Sequence, residues 1–137
     1  MDDGNTRGKR RYSSAHAVYA LRYHIVFCPK YRRKVLGPLE EELKQLFTQK
    51  AAELGLGILA MEVMPDHVHI FIEGKPSYEP QFIVNQLKGY TSRILRGRHQ
   101  WLRSRLPTLW TRSYYIGSAG SVSASSIQKY IESQKGK

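Results

Sequence analysis

The hydrophobic pattern opens with a period of two. Over residues 18–28, Tyr19, Leu21, Tyr23, Ile25 and Phe27 fall on one side, which predicts a β-strand, and Pro29, unable to donate to a ladder, ends it. The period then becomes helical. Over 38–54, Leu39, Leu43, Leu46, Phe47, Ala51 and Leu54 form one stripe; Pro38 suits a first turn, Glu40, Glu41 and Glu42 suit the positive end of the helix dipole, and Gly55 suits its close. A second strand follows over 56–64 and a third over 67–73, separated by Pro65-Asp66, with a turn at 74–77. Phe82, Ile83, Leu87, Tyr90, Ile94 and Leu95 predict a second helix over 80–95, and 97–108 reads as basic and irregular. Trp110, Arg112, Tyr114 and Ile116 alternate with Thr111, Ser113 and Tyr115, which predicts a fourth strand over 109–116. Residues 117–121 read as a glycine- and serine-containing hinge. Ser123 then caps a last helix running to 134, with Gly136 just past its end.

Strand–helix–strand–strand–helix–strand plus a terminal helix is the order of the split β-α-β, ferredoxin-like arrangement: α+β, an antiparallel sheet with helices on one face and one face left open. Residues 1–16 read as a flexible basic lead-in and 17–137 as a single domain. Many functions share this fold, so it selects none of them.

Charge narrows the choice. The 137 residues carry 22 Lys and Arg against 11 Asp and Glu, a net charge of +11, which favours a polyanionic partner. No apolar run approaches the roughly 20 residues of a membrane span, and the first residues are polar and basic rather than those of a secretory leader. The single Cys28 excludes an internal disulfide and a cysteine-rich zinc site. A cytoplasmic protein is the expectation. Lys30, Tyr31, Arg32, Arg33 and Lys34 place four cations around one aromatic ring, suited to phosphate contacts with base stacking. Lys88, Ser92, Arg93 and Arg96 lie opposite the apolar stripe of the second helix and suit a nucleic-acid backbone.

Two further constellations carry chemistry. In Met64-Pro65-Asp66-His67-Val68-His69 the strand period turns both imidazoles to one face and Val68 to the other, so His67 and His69 form a ready pair of metal ligands beside Asp66. An H-x-H alone is more often an exposed strand face. In the last helix, Tyr130 and Gln134 are one turn apart and share a face. A phenol with an ordinary pKa of about 10 is a poor nucleophile unless a cation helps form phenolate. A helical Tyr-x-x-x-Gln alone is usually ordinary surface.

Together, these motifs make the chain resemble the HUH single-tyrosine transposases of single-strand insertion sequences, the TnpA-like, IS200-like family. The likeness rests on His67-Val68-His69 within Met64–His69, on Tyr130 with Gln134, on the run from Tyr23 to Arg32, on Leu87-Lys88-Gly89, and on Trp110 followed by Ser113-Tyr114. The resemblance implies a transposase that cuts and rejoins single-stranded DNA beside imperfect hairpins. Tyr130 would be its nucleophile, forming a 5′-phosphotyrosine, and His67, His69 and Gln134 would hold Mg²⁺ or Mn²⁺. It further implies a homodimer whose tyrosine helices can exchange through the 117–121 hinge, no nucleotide cofactor, and a nucleoid-associated place in a bacterial or archaeal cell. Asp66 would support the metal site from behind; Lys30, Tyr31, Arg32, Arg33, Lys88, Ser92, Arg93 and Arg96 would bind DNA. Two alternatives stay open: a non-enzymatic single-stranded DNA- or RNA-binding domain that uses Tyr19, Tyr23 and Phe27 for stacking, and a related HUH nicking enzyme acting on host repeats or replication origins.

Overall fold

The computed structural model describes residues 12–13, 18–19, 21–120 and 122–137. Two short strands, β1 (Tyr12–Ser13) and β2 (Val18–Tyr19), pair with each other. The rest of the expected lead-in, and the expected stacking role of Tyr19, lie outside the described residues or side chains.

The main sheet contains β3 (Arg22–Phe27), β4 (Ile58–Met64), β5 (His67–Glu73) and β6 (Tyr115–Ser118), in the spatial order β4-β5-β3-β6 and antiparallel throughout. This is the expected ferredoxin-like order. The strand foreseen over 18–28 is shorter than its alternation suggests, because its partner runs out. Arg22 pairs with Glu73, the last residue of β5, and the chain then turns at Gly74, whose N–H donates to the Leu21 carbonyl at 2.8 Å.

The core lies between one sheet face and two helices, α1 (Glu40–Leu54) and α2 (Pro80–Arg98). Ile25 and Phe27 of β3 and Val68, Ile70 and Ile72 of β5 are fully buried against Leu43 and Phe47 of α1 and Ile83, Val84 and Leu87 of α2. The ring of Phe27 meets Phe47 and Trp110 edge-on at 5.9 and 4.6 Å, an arrangement favoured by the aromatic quadrupole. Strand periodicity turns the alternate residues, His67, His69 and Phe71 of β5 and His24 and Val26 of β3, to the opposite face.

Two expectations in the second half are corrected. The basic stretch 97–108 contains a short helix, α3 (Gln100–Arg105); Leu102 and Leu106, one turn apart, are buried, a pairing obscured by the arginines around them. The strand expected over 109–116 is regular only in β6. Its first half forms a single bridge, Pro29 to Trp110, and then leaves the sheet. The cause is Lys88. Its Nζ donates to the carbonyls of Thr111 at 2.6 Å, Arg112 at 3.2 Å and Ser113 at 3.3 Å, acceptors that a ladder would otherwise use. Beside it, the Trp110 indole donates to Thr91 Oγ1 at 3.0 Å.

The final helix, α4 (Ala124–Ser133), begins in a capping box. Ser123 Oγ accepts from the Ser126 N–H, and Ser126 Oγ accepts from the Ser123 N–H. α4 lies on the open face of the sheet. Tyr115, opposite Val26 in register, meets the Tyr130 ring at 6.0 Å, and its hydroxyl bonds Ser126 Oγ at 2.9 Å. The expected hinge is also redrawn: Gly117 pairs with His24 inside β6, and a Cβ there would collide with the side chain of Val122. Close packing, rather than flexibility, requires this glycine. Ser121 lies outside the described residues.

Lys88→Met keeps an apolar stem but strands three carbonyl oxygens. A loss of about 2–4 kcal/mol of unfolding free energy is expected at pH 7, measured by urea denaturation. A loss below about 0.5 kcal/mol would show that these contacts do not hold 111–113 in place.

Candidate active site

β5 brings His67 and His69 to the open face, as the sequence spacing requires. The Asp66 carboxylate accepts a hydrogen bond at 2.9 Å from His67 Nδ1, which fixes that ring and leaves Nε2 for another partner. His69 Nε2 lies 2.9 Å from Nδ1 of His24, whose own ring stacks on Phe71 at 4.4 Å. Burial lowers the pKa values of His24 and His69 below the ordinary imidazole value, which favours neutral rings, one donating its N–H to the other's ring nitrogen. The residues of β5 could be placed from the sequence; His24 lies in the Tyr23–Arg32 run with no role assigned to it, and only the sheet register brings it here.

The second half of the site is built on one serine. Ser113 Oγ lies 2.8 Å from the Tyr130 hydroxyl and 2.8 Å from Gln134 Oε1. A hydroxyl has one proton and the amide oxygen can only accept, so Ser113 donates to Gln134 and the phenol donates to Ser113. Tyr130 and Gln134 therefore share one anchor. Ser113 occurs in the sequence signature without a role, since its function depends on the departure of 111–113 from the sheet. Burial raises the Tyr130 phenol pKa, partly offset by the Ser113 contact. Gln134 is buried at the helix end, where its Nε2 also donates to Ser133 Oγ at 3.0 Å.

Arg32 spans the two halves. Its Nε approaches Asp66 Oδ2 at 3.4 Å, and its Nη1 donates to the Ile131 carbonyl in α4 at 3.1 Å. The backbone accepts strain to place it there: Tyr31 and Arg32 both adopt left-handed φ, 61° and 51°, at a cost of about 1–2 kcal/mol each. Arg32 is thus committed to the protein itself, beyond the DNA contact expected of it. Cys28 sits within the same junction, fully buried, with its thiol pushed up to about 12 by burial and the Asp66 carboxylate.

The expected DNA contacts sort by geometry. Tyr31 is exposed, with Lys30 Nζ at 5.2 Å and the Arg33 guanidinium at 5.8 Å from its ring centre. Arg33 and Lys34 line a cleft of about 480 Å³ with Arg105, a cation in the stretch read as irregular. Arg93 is exposed on α2 and lies near the Tyr90 ring, as Lys50 does from α1. Ser92 is half-buried, and Arg96 donates to the Leu106 carbonyl at 2.8 Å. Lys88, expected on the outer face, turns inward to 111–113, where burial lowers its pKa to about 8.

Comparison with known proteins gives a consistent picture. The family model described as "Transposase IS200 like" matches residues 17–134. The ISDra2 transposase TnpA of Deinococcus radiodurans is 40% identical over 123 residues, covering 88% of each chain. The transposase for insertion sequence element IS200 of Salmonella typhimurium is 31% identical over 125 residues, 89% of this chain and 82% of that one. The crystal structure of a candidate transposase from Deinococcus radiodurans R1 superposes with a TM-score of 0.82 at 32% identity, covering 92% of this chain and 99% of that one. A REP-associated tyrosine transposase, solved bound to a REP hairpin, shares the fold with a TM-score of 0.53 at 12% identity, over 88% and 69% of the two chains.

Arg32→Ala removes the bridge from Asp66, beside the histidine strand, to the Ile131 carbonyl of α4. Amide hydrogen exchange across 124–133 should accelerate about tenfold while β3 and β5 keep their protection. Unchanged exchange in α4 would assign its docking to the Ser113 and Tyr115 contacts alone.

Proposed function

This chain belongs to the IS200-like transposase family, and we propose that it cleaves and rejoins single-stranded DNA at the hairpin-bearing ends of an insertion sequence, with Tyr130 as nucleophile. The observation that carries this is the shared anchor at Ser113, which presents a tyrosine and a glutamine together on a helix lying over the His67–His69 face. A binding domain that only stacked bases on its open sheet would have no use for that pairing.

Phosphoryl transfer to a phenol needs positioning and charge stabilisation. The Tyr130 oxygen attacks the scissile phosphorus as the bond to the 3′ oxygen breaks; the phenol loses its proton and the departing oxygen gains one. A 5′-phosphotyrosine and a free 3′-OH result. Because the phosphodiester has been exchanged for another phosphoester, attack by a 3′-OH can reverse the step without a nucleotide cofactor. In the structure Tyr130 is held protonated on Ser113, so it must turn from that serine to attack.

The donor set fits a divalent cation. Two imidazoles are donors to divalent cations, the amide oxygen adds a hard donor of the kind Mg²⁺ or Mn²⁺ takes, and Asp66 orients His67 as a supporting carboxylate does. In this reading His67, His69 and Gln134 would hold the ion; among the described residues no group of three or more His, Cys, Asp or Glu side chains is placed to hold a metal. When bound, such an ion polarises the phosphoryl oxygens and neutralises developing charge.

DNA engages the net charge of +11 through Lys30, Arg33 and Arg93, with Tyr31 offering a stacking surface. No helix among the described residues is long and apolar enough to cross a membrane. The hairpin in the REP-associated structure belongs to that protein; here a hairpin is the substrate to be tested. A homodimer with exchanged tyrosine helices, acting in the cytoplasm on nucleoid DNA, completes the proposal. A nicking enzyme of host repeats would share these residues and differ only in its substrate.

End-labelled single-stranded DNA carrying an end hairpin, incubated with the protein and Mg²⁺ or Mn²⁺, should give a labelled covalent adduct on a denaturing gel. Tyr130→Phe and EDTA should each abolish it, while DNA binding by Tyr130→Phe stays within about twofold. An adduct of undiminished yield in Tyr130→Phe would remove that tyrosine from its role. Tight binding without any adduct would instead favour a binding domain.

A further inference from the structure

The open face of the sheet holds a second feature beyond the histidines and the tyrosine helix. Between β3, β5 and the edge strand β4 lies a cavity of about 240 Å³, lined by His24, Ala60, Met61, Glu62, His69 and Phe71. The sheet register explains why it is there. Phe71 has His24 opposite it on β3 and Ala60 opposite it on β4. The His24 and Phe71 rings stack within 18° of parallel, giving a flat aromatic wall. On the other side, alanine offers a single methyl group, and the space beside the Phe71 ring stays open. Glu62, opposite His69, places an exposed carboxylate at the rim.

We propose that this cavity receives one unpaired base of the DNA strand close to the scissile phosphate, and that Glu62 makes it prefer bases bearing an exocyclic amino group over thymine. The inference rests on the DNA-cleaving role proposed above and adds a base-reading site to it. A slot with a flat ring on one side and a small residue on the other matches a single planar heterocycle rather than a base pair. Aromatic stacking supplies about 1–3 kcal/mol per base without regard to sequence. Selectivity comes from the rim. Ionised Glu62 only accepts hydrogen bonds, so it pairs with the amino groups of cytosine, adenine or guanine. Thymine's one ring N–H sits between two carbonyl oxygens that repel the carboxylate. A carboxylate also repels phosphates, so Glu62 would be poorly placed for gripping the backbone; on the rim of a strongly basic protein it suits a base edge. His69 belongs both to this cavity and to the imidazole pair, so an occupied cavity brings that nucleotide's backbone to the reacting centre.

The test uses 2-aminopurine placed at one position at a time through the cleavage-site strand, with binding followed by its fluorescence. One position should be strongly quenched in the wild-type protein. Ala60→Leu fills the slot from an exposed edge-strand position, so the fold, checked by thermal unfolding, should be kept. It should abolish that quench and weaken binding about tenfold, an effect that disappears when the same nucleotide is abasic. Glu62→Gln should keep the quench but reduce a roughly tenfold discrimination against thymine at that position to within about twofold. Quenching that survives in Ala60→Leu, or the absence of a quenched position, overturns the base slot. Thymine discrimination unchanged in Glu62→Gln overturns the role of the carboxylate. Position-specific quenching without adduct formation would count against the cleavage reaction and leave the slot standing; adduct formation without quenching would do the reverse.

Discussion

A single half-buried ammonium sets the geometry on which the site depends. By collecting the carbonyls of Thr111, Arg112 and Ser113, Lys88 pulls the chain out of the strand that its alternation would otherwise form. The displaced segment then presents the Ser113 hydroxyl to α4 rather than to a neighbouring strand. Removing the charge from water is costly, and several carbonyl dipoles are needed to compensate for it. The same three contacts that satisfy the lysine therefore fix the serine on which the tyrosine and glutamine meet.

The two halves of the site are held in different ways. The histidines stand on a central strand, with a core of buried aliphatic residues directly beneath, and inherit the rigidity of the sheet. Tyr130 stands on a ten-residue helix fastened by a few polar contacts and one buried side chain, Ile131. A helix this short has little stability of its own and depends on docking. For the proposed reaction, rigid histidines beneath a lightly fastened tyrosine would suit a nucleophile that must pick up a strand and later release it.

Local pattern made most of the fold legible. The order of elements along the chain, both long helices, the facing of His67 and His69 and the spacing of Tyr130 and Gln134 all follow from periods of two and 3.6 residues. What escaped depends on partners distant in sequence. Lys88 has the same helical address as an exposed cation, and only the chain passing over α2 turns it inward. Ser113 acquired its place from that displacement. Arg32 stood in a run of cations that suggested phosphates; its left-handed backbone and its contacts with Asp66 and Ile131 are tertiary facts. Leu102 and Leu106 were masked by charge, since composition described that stretch better than spacing did.

The packing of Gly117 against Val122 bears on how α4 can come away. Val122 immediately precedes the capping Ser123, so the residue at the root of the helix is wedged against the backbone of β6 at Gly117. A helix tethered through a loose linker could fray turn by turn while its root wandered. Here the root is locked by shape, and withdrawing it uncovers a bare stretch of sheet at the Gly117–His24 pair. Partial departures gain little freedom while already exposing that backbone. Undocking is thereby made cooperative, closer to an on-or-off event than to a gradual loosening.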